Sequence, residues 1–209
     1  ADPAKAQSYF LHPVPSAALR KTMFPLGEMS KPEVREHARA LGLVTADKAE
    51  SMEVCFVPGD DHAEFVSRHE PDLEAAGDIV DEAGQRLGGH LGYHRFTLGQ
   101  RRGLGLAGGP WFVLAVDPLS RQVMVGPESR LLSTEVRARG VNVLRQPLPG
   151  QACLARLRHR GALVPCEVVG LDPLLLRLRA PARAVTPGQS VVVYEGDEVL
   201  LGGTIVGSA

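Results

Sequence analysis

From about residue 131 to the end of the chain, short valine and leucine runs recur. Turn signals break them at Leu148-Pro149-Gly150, Asp172-Pro173, Thr186-Pro187-Gly188-Gln189 and Glu195-Gly196-Asp197. Apolar runs of this length, bounded by Pro, Gly and Asp, read as strands. Several in succession make a small barrel or a sandwich. A barrel is favoured, because closure removes the edges that an apolar strand such as "SVVVY" would otherwise expose. In "AVTPGQS" the Pro-Gly pair takes the two central positions of a type II turn. That leaves Gln189 at the turn exit, with an amide that donates and accepts hydrogen bonds. A purely structural turn explains the same stretch.

The chain changes character near residue 46. Before it, Ser30-Lys31-Pro32-Glu33 has the spacing of a capping box with proline in the first helical turn. Val34, Ala38 and Leu41 follow on one face, and Gly42 sits where a left-handed stop is wanted, so a helix is expected over 31–41. Upstream, Gln7-Ser8-Tyr9-Phe10-Leu11 reads as a short strand-like piece closed by His12-Pro13. Between 47 and 130 one short helix through Phe65 and Val66 is expected to end by Pro71. "PWFVLAVD" and "QVMVG" alternate as half-buried strands around Asp117-Pro118-Leu119-Ser120, and Asp81-Glu82-Ala83-Gly84 marks another turn between strands.

Net charge over the 209 residues is only −1. Its distribution is uneven: nine arginines between Arg137 and Arg183 face only Glu167 and Asp172, which leaves +7 there and −8 elsewhere. Such asymmetry points to a polyanion-binding surface or to a solvated, arginine-rich β face. Within it, "RLRHR" alternates as a strand would. Arg156, Arg158 and Arg160 are then expected on one face as a row of phosphate-binding guanidinium groups, with His159 on the other. In "LGQRRGLGLAGG", Gln100, Arg101 and Arg102 suit contacts to a sugar-phosphate backbone. The alternative is a glycine-rich hairpin whose arginines face water. The stretch lacks the order of a nucleotide-binding phosphate loop.

The three cysteines, Cys55, Cys153 and Cys166, form no CxxC pair and fit a reducing compartment. Cys153 and Cys166 sit inside strand patterns and read as small apolar filler. Cys55 lies where an apolar run breaks into Pro58-Gly59-Asp60-Asp61. It is either a buried filler or a reachable thiol whose ionisation a following helix start would favour. The seven histidines show no metal-binding spacing, so no metal is expected. No apolar stretch approaches the roughly 20 residues of a membrane span, and no export leader is seen. A cytoplasmic protein without membrane partners is expected.

Five stretches in order resemble one family, the bacterial-type tRNA-specific 2-thiouridylases: "KAQSYFL", "FPLGEMSKPEVR", "ALGLVTADKAESMEVCFV", "TLGQRRGLG" and "AVTPGQSVVVY". The resemblance implies ATP-dependent adenylation of the wobble uridine at its C2 oxygen, followed by sulfur delivery from a cysteine persulfide. Cys55 matches the persulfide-bearing cysteine, loaded by a sulfur donor or relay protein. Lys5 and Gln7 match a tRNA-contacting Lys-Asp-Gln stretch, with Ala6 in place of Asp. Arg158 and His159 match a tRNA-contacting Arg-Tyr pair, and Gln189 matches a further tRNA contact.

The family's SGGxDS phosphate loop and second catalytic cysteine do not occur in these residues, so the ATP site is expected elsewhere. The resemblance therefore implies a mainly β, α+β chain in three parts. Residues 1–46 are the helical tail of an α/β nucleotide-binding domain that the chain lacks. Residues 47–130 form a small central α+β domain carrying Cys55, and residues 131–209 a tRNA-binding β-barrel. A fragment of this kind is expected to be inactive alone. Two other readings compete: a stand-alone, non-catalytic RNA-binding adaptor, and a cysteine hydrolase, which would need a histidine beside Cys55.

Overall fold

The computed structural model describes residues 7–48, residue 57 and residues 62–209, with only the backbone described at residue 62. The expectation of a mainly β chain with minor helix and a closed barrel is borne out. The chain forms two compact units. One joins the described residues before 50 with 134–180 and 187–208, and the other joins those from 57 to 133 with 181–186.

The second unit is built on strands β1 (Gly77–Val80), β2 (Arg86–His90), β3 (Phe112–Asp117) and β4 (Gln122–Gly126). Their order is β2-β1-β4-β3, with β1 parallel to β4 and the other pairs antiparallel. Turn chemistry sets the hairpins. Asp81 Oδ1 accepts from the Ala83 and Gln85 amides, and Gly84 takes the left-handed conformation at φ 80°. Asp117 Oδ1 accepts from the Leu119 amide. Such local carboxylate bonds offer the backbone a turn in place of a continued ladder. Ile79, Leu104, Val113, Val123 and Val125 form the core of this unit.

The barrel uses β5 (Leu132–Val143), β6 (Cys153–Arg156), β7 (Leu163–Leu171), β8 (Leu174–Arg183), β9 (Ser190–Glu195) and β10 (Glu198–Ser208). The closed order is β10-β5-β8-β7-β6-β9. Gly150, Gly188 and Gly196 adopt positive φ at the turns foreseen from sequence. Ala155 and Val193 pair across β6 and β9 and are fully buried, as positions facing the interior. Val192 and Tyr194, on the alternate face, are also buried, because Tyr9 packs over them. A strand covered on both faces reads as a continuous apolar run, which accounts for "SVVVY".

Tyr9 belongs to helix α1 (Ser8–Leu11), which the sequence reading took for a strand-like piece. The correction has a physical cause. A helical turn places Tyr9 and His12, three apart, on one side. Both are buried, at 4% and 7% exposure, while Phe10 stays 55% exposed. An alternating strand would have put Tyr9 and Leu11 on that side. A further helical turn, α2 (Ser16–Leu19), went unforeseen. Helix α3 (Lys31–Ala40) forms as expected, with the Ser30 amide donating to the Glu33 carboxylate at 2.6 Å and Gly42 at φ 65°. Leu41, expected on its apolar face, is 74% exposed just past the helix end. Helix α4 (His62–His69) ends before Pro71, as foreseen.

Candidate nucleic-acid interface

Three separated segments meet on the barrel around Tyr9. Its hydroxyl donates to the Ser190 carbonyl at 2.8 Å, which ties α1 to the turn carrying Gln189. Its ring lies 5.9 Å from that of His159, which ties α1 to the β6–β7 connection. Burial raises the Tyr9 pKa above the ordinary phenol value, so the hydroxyl keeps the proton it donates. The segment beyond α1 is anchored as well. Asn142 Nδ2 donates to the His12 and Val14 carbonyls at 2.7 and 2.9 Å. The His12 imidazole lies against Gly202, where a Cβ would come within 2.5 Å of Nδ1.

The expected row of three guanidinium groups on one strand face is not what forms. Strand β6 ends at Arg156, whose last β7 partner is Leu163, and residues 158–160 lie in the connecting turn. The Gly161 amide donates to the Arg158 carbonyl at 3.0 Å, and Arg160 takes a left-handed φ of 58°. The antiparallel return to β7 requires this reversal, and alternation cannot persist through it. Arg156 instead lies over the Tyr194 ring, its Cζ 5.6 Å from the centroid. Its Nε is buried without a hydrogen-bond partner among the described residues. Arg158, His159 and Arg160 are exposed at the turn.

Gln7 is exposed at the start of α1, and Gln189 is exposed after Gly188, whose φ of 87° is the one a Pro-Gly type II turn needs. The structure therefore gathers Gln7, Arg158, His159 and Gln189 about one hub. Sequence reasoning did not single out Tyr9 or Phe10, although the aromatic pair follows the Lys5–Gln7 stretch after the single residue Ser8. Lys5 and Cys55 lie outside the described residues.

The remaining candidates belong to the second unit. Gln100 is committed to its own loop: its Oε1 accepts from the Thr97 amide at 2.9 Å, and its Nε2 donates to the Arg102 carbonyl at 3.0 Å. It shapes the loop that presents Arg101 and Arg102, both exposed. Arg101 and Arg183 lie over the Phe112 ring, with Cζ 6.0 and 5.2 Å from the centroid. Arg183 is further held by Glu128 at 2.7 Å and the Gly99 carbonyl at 2.9 Å.

Cys153 and Cys166 are cross-strand partners, both buried and unbridged. Burial raises both thiol pKa values and pushes Cys166 up to about 12, so neither is a thiolate at neutral pH. Among the described residues no group of three or more His, Cys, Asp and Glu gathers to hold a metal ion. No described helix is long and apolar enough to cross a membrane. The glycine-rich stretch after Leu98 leads into β3 rather than a helix, so it offers no helix N-terminus for the phosphates of ATP.

Three consecutive family models match the chain: a tRNA methyl transferase HUP domain over residues 1–59, a tRNA methyl transferase PRC-barrel domain over 63–127, and an aminomethyltransferase beta-barrel domain over 133–205. Curated relatives include the tRNA-specific 2-thiouridylases MnmA of Chlorobium phaeovibrioides, 43% identical over 99% of this chain, and of Geobacter metallireducens, 46% identical over 98%. That of Roseiflexus castenholzii is 42% identical over 98%. The chain spans 60%, 56% and 56% of those relatives' own lengths. With matches in the same order along nearly its whole length, the chain belongs to the tRNA-specific 2-thiouridylase family.

Proposed function

We propose that this chain serves the 2-thiolation of tRNA, gripping the tRNA and carrying the sulfur that replaces the C2 oxygen of the wobble uridine. One observation carries the reading: Gln7, Arg158, His159 and Gln189, drawn from three distant segments, stand about the single anchor Tyr9. Exposed arginines bind phosphates, and the amides add polar contacts that fix register. In this reading residues 1–46 are the tail of a nucleotide-binding domain, 47–130 the sulfur-carrying domain and 131–209 the tRNA grip. Arg101 and Arg102 hold further backbone phosphates.

Cys55 carries the persulfide. Its terminal sulfur attacks C2 of the activated uridine, the activated C2 oxygen leaves, and a second thiol breaks the sulfur–sulfur bond, forming a disulfide with Cys55. A dithiol reductant then opens that disulfide by exchange and returns Cys55 to a thiol, and a cytoplasmic donor or relay protein reloads it. In this reading activation by ATP falls to residues other than those described.

The test is binding of unmodified tRNA to the 209-residue chain across a salt series. Saturable binding whose log affinity falls linearly with log salt supports the reading. No binding at low salt would overturn it. The chain alone, given ATP and a persulfide donor, is expected to form no 2-thiouridine, and measured turnover would refute the assignment of ATP activation to other residues.

A further inference from the structure

A phenylalanine that is 55% exposed, set beside a buried tyrosine, is an apolar ring held open to solvent. Phe10 is also held firmly. Its ring meets Tyr9 edge-on at 5.4 Å and 85°, and Tyr9 is fixed by the Ser190 carbonyl and by packing on Val192 and Tyr194. On its other side lies the exposed His159 ring, 4.6 Å away and tilted by 40°. His159 occupies the turn closed by the Gly161–Arg158 hydrogen bond. Two rings from segments about 150 residues apart thus form one aromatic surface on a rigid support.

The neighbours of that surface identify its occupant. Arg158 and Arg160 flank His159 in the same turn, both exposed, and neither makes an ion pair among the described residues. By contrast, Arg39, Arg86, Arg95, Arg130, Arg145 and Arg183 are each paired with a carboxylate. Uncommitted guanidinium groups beside exposed rings complement a polyanion that also offers flat apolar faces. Single-stranded RNA has that chemistry, because its unstacked bases lie on aromatic rings while arginines take the adjoining phosphates.

We infer that Phe10 and His159 form a stacking platform for one unpaired nucleobase of the bound RNA, with Arg158 and Arg160 holding the phosphates on either side of it. The inference rests on the tRNA-binding reading and deepens it. It assigns a base-contacting role to Phe10 and predicts that the barrel engages a looped-out base rather than a duplex alone.

The test uses the 209-residue chain and an anticodon stem-loop RNA in which 2-aminopurine replaces each loop base in turn. Stacking quenches this fluorophore, so binding should quench it strongly at one loop position. Phe10→Ala and Phe10→Leu should each abolish that quench and weaken binding about tenfold, whereas Phe10→Trp restores both. The salt dependence should stay unchanged in all three, because no charge is lost. RNA binding without a quenched loop position, or full affinity and quench in Phe10→Ala, would overturn the platform while leaving the tRNA-binding reading intact. A Leu variant that behaves like the wild type would show a merely apolar contact, such as a protein surface makes, and would also overturn it. Failure of the wild-type chain to bind the RNA at all would sink both readings.

Discussion

The imidazole of His12 occupies the space that any side chain at position 202 would need: a Cβ built on Gly202 stands 2.5 Å from Nδ1 and 2.6 Å from Cγ. Strand β10 thus accepts the segment after α1 only because its residue there is glycine. Gly202→Ala is expected to cost about 1–3 kcal/mol, the usual penalty of overpacking a filled site. Because α1 carries Tyr9 and Phe10, tRNA affinity should fall with it. Thermal unfolding and tRNA titration of the variant check this, and an unchanged melting temperature would contradict the contact.

Burial lowers the pKa of both His12 and His90 below the ordinary value of 6.5, the first against Gly202 and the second beside the Arg121 carbonyl, with Asp78 opposing the shift and His94 adding to it. The unfolded chain then binds protons that the folded chain refuses. Stability should therefore be flat above about pH 7 and fall as pH drops through 6.5 towards the folded values. The carboxylates with lowered pKa, Glu33, Glu74 and Asp117, act at lower pH still. Melting temperatures between pH 7.5 and 5 measure the slope, and His12→Asn should flatten part of it.

Arg158 and Arg160 differ from Arg156 in what surrounds them, and their variants should differ too. Charge reversal at either exposed position should weaken tRNA binding and lower the salt slope by about 1 per lost phosphate contact. Arg156→Met should leave the salt slope nearly unchanged and alter stability instead, because that guanidinium lies over Tyr194 with its Nε buried. Equal losses of slope for all three would instead support a strand-face row of phosphate contacts.

Gln100 is expected to act through its loop. Gln100→Ala removes both hydrogen bonds that brace residues 97–102, each worth about 0.5–1.5 kcal/mol. Limited proteolysis should cut there faster, and binding should weaken without a change in salt slope. A protease-resistant variant with a reduced slope would instead place Gln100 beside phosphate.

Cys166, with its pKa pushed up to about 12, and Cys153 should resist iodoacetamide at neutral pH until the barrel unfolds. Cys55 should react first if it serves as the persulfide carrier. Mass spectrometry of the partly alkylated chain ranks the three, and native labelling of Cys166 would contradict its burial.

The barrel and its turns were legible because strand and turn signals are local: proline-glycine pairs, aspartate at turn starts and valine runs each act within a few residues. The capping box before Lys31 is local in the same way. What sequence could not supply was set by distant partners. Tyr9 is helical because Ser190 and Val192 receive it from the far end of the chain. "RLRHR" alternates on paper, yet the pairing of Arg156 with Leu163 forces the reversal that breaks the alternation. The tRNA-contact candidates could be named singly from the family resemblance. Their common support, Tyr9, and their exposed neighbour, Phe10, needed the fold.

The closing pair of the barrel joins its last strand to its first: β10 hydrogen-bonds β5 on one side and β9 on the other. A nascent chain leaving the ribosome therefore carries five of these six strands as an open sheet with two raw margins, and residues 198–208 seal both at once. Until then the exposed margins invite pairing with other chains, so a stall or frameshift shortly before residue 198 should release an aggregation-prone product instead of a weakened barrel.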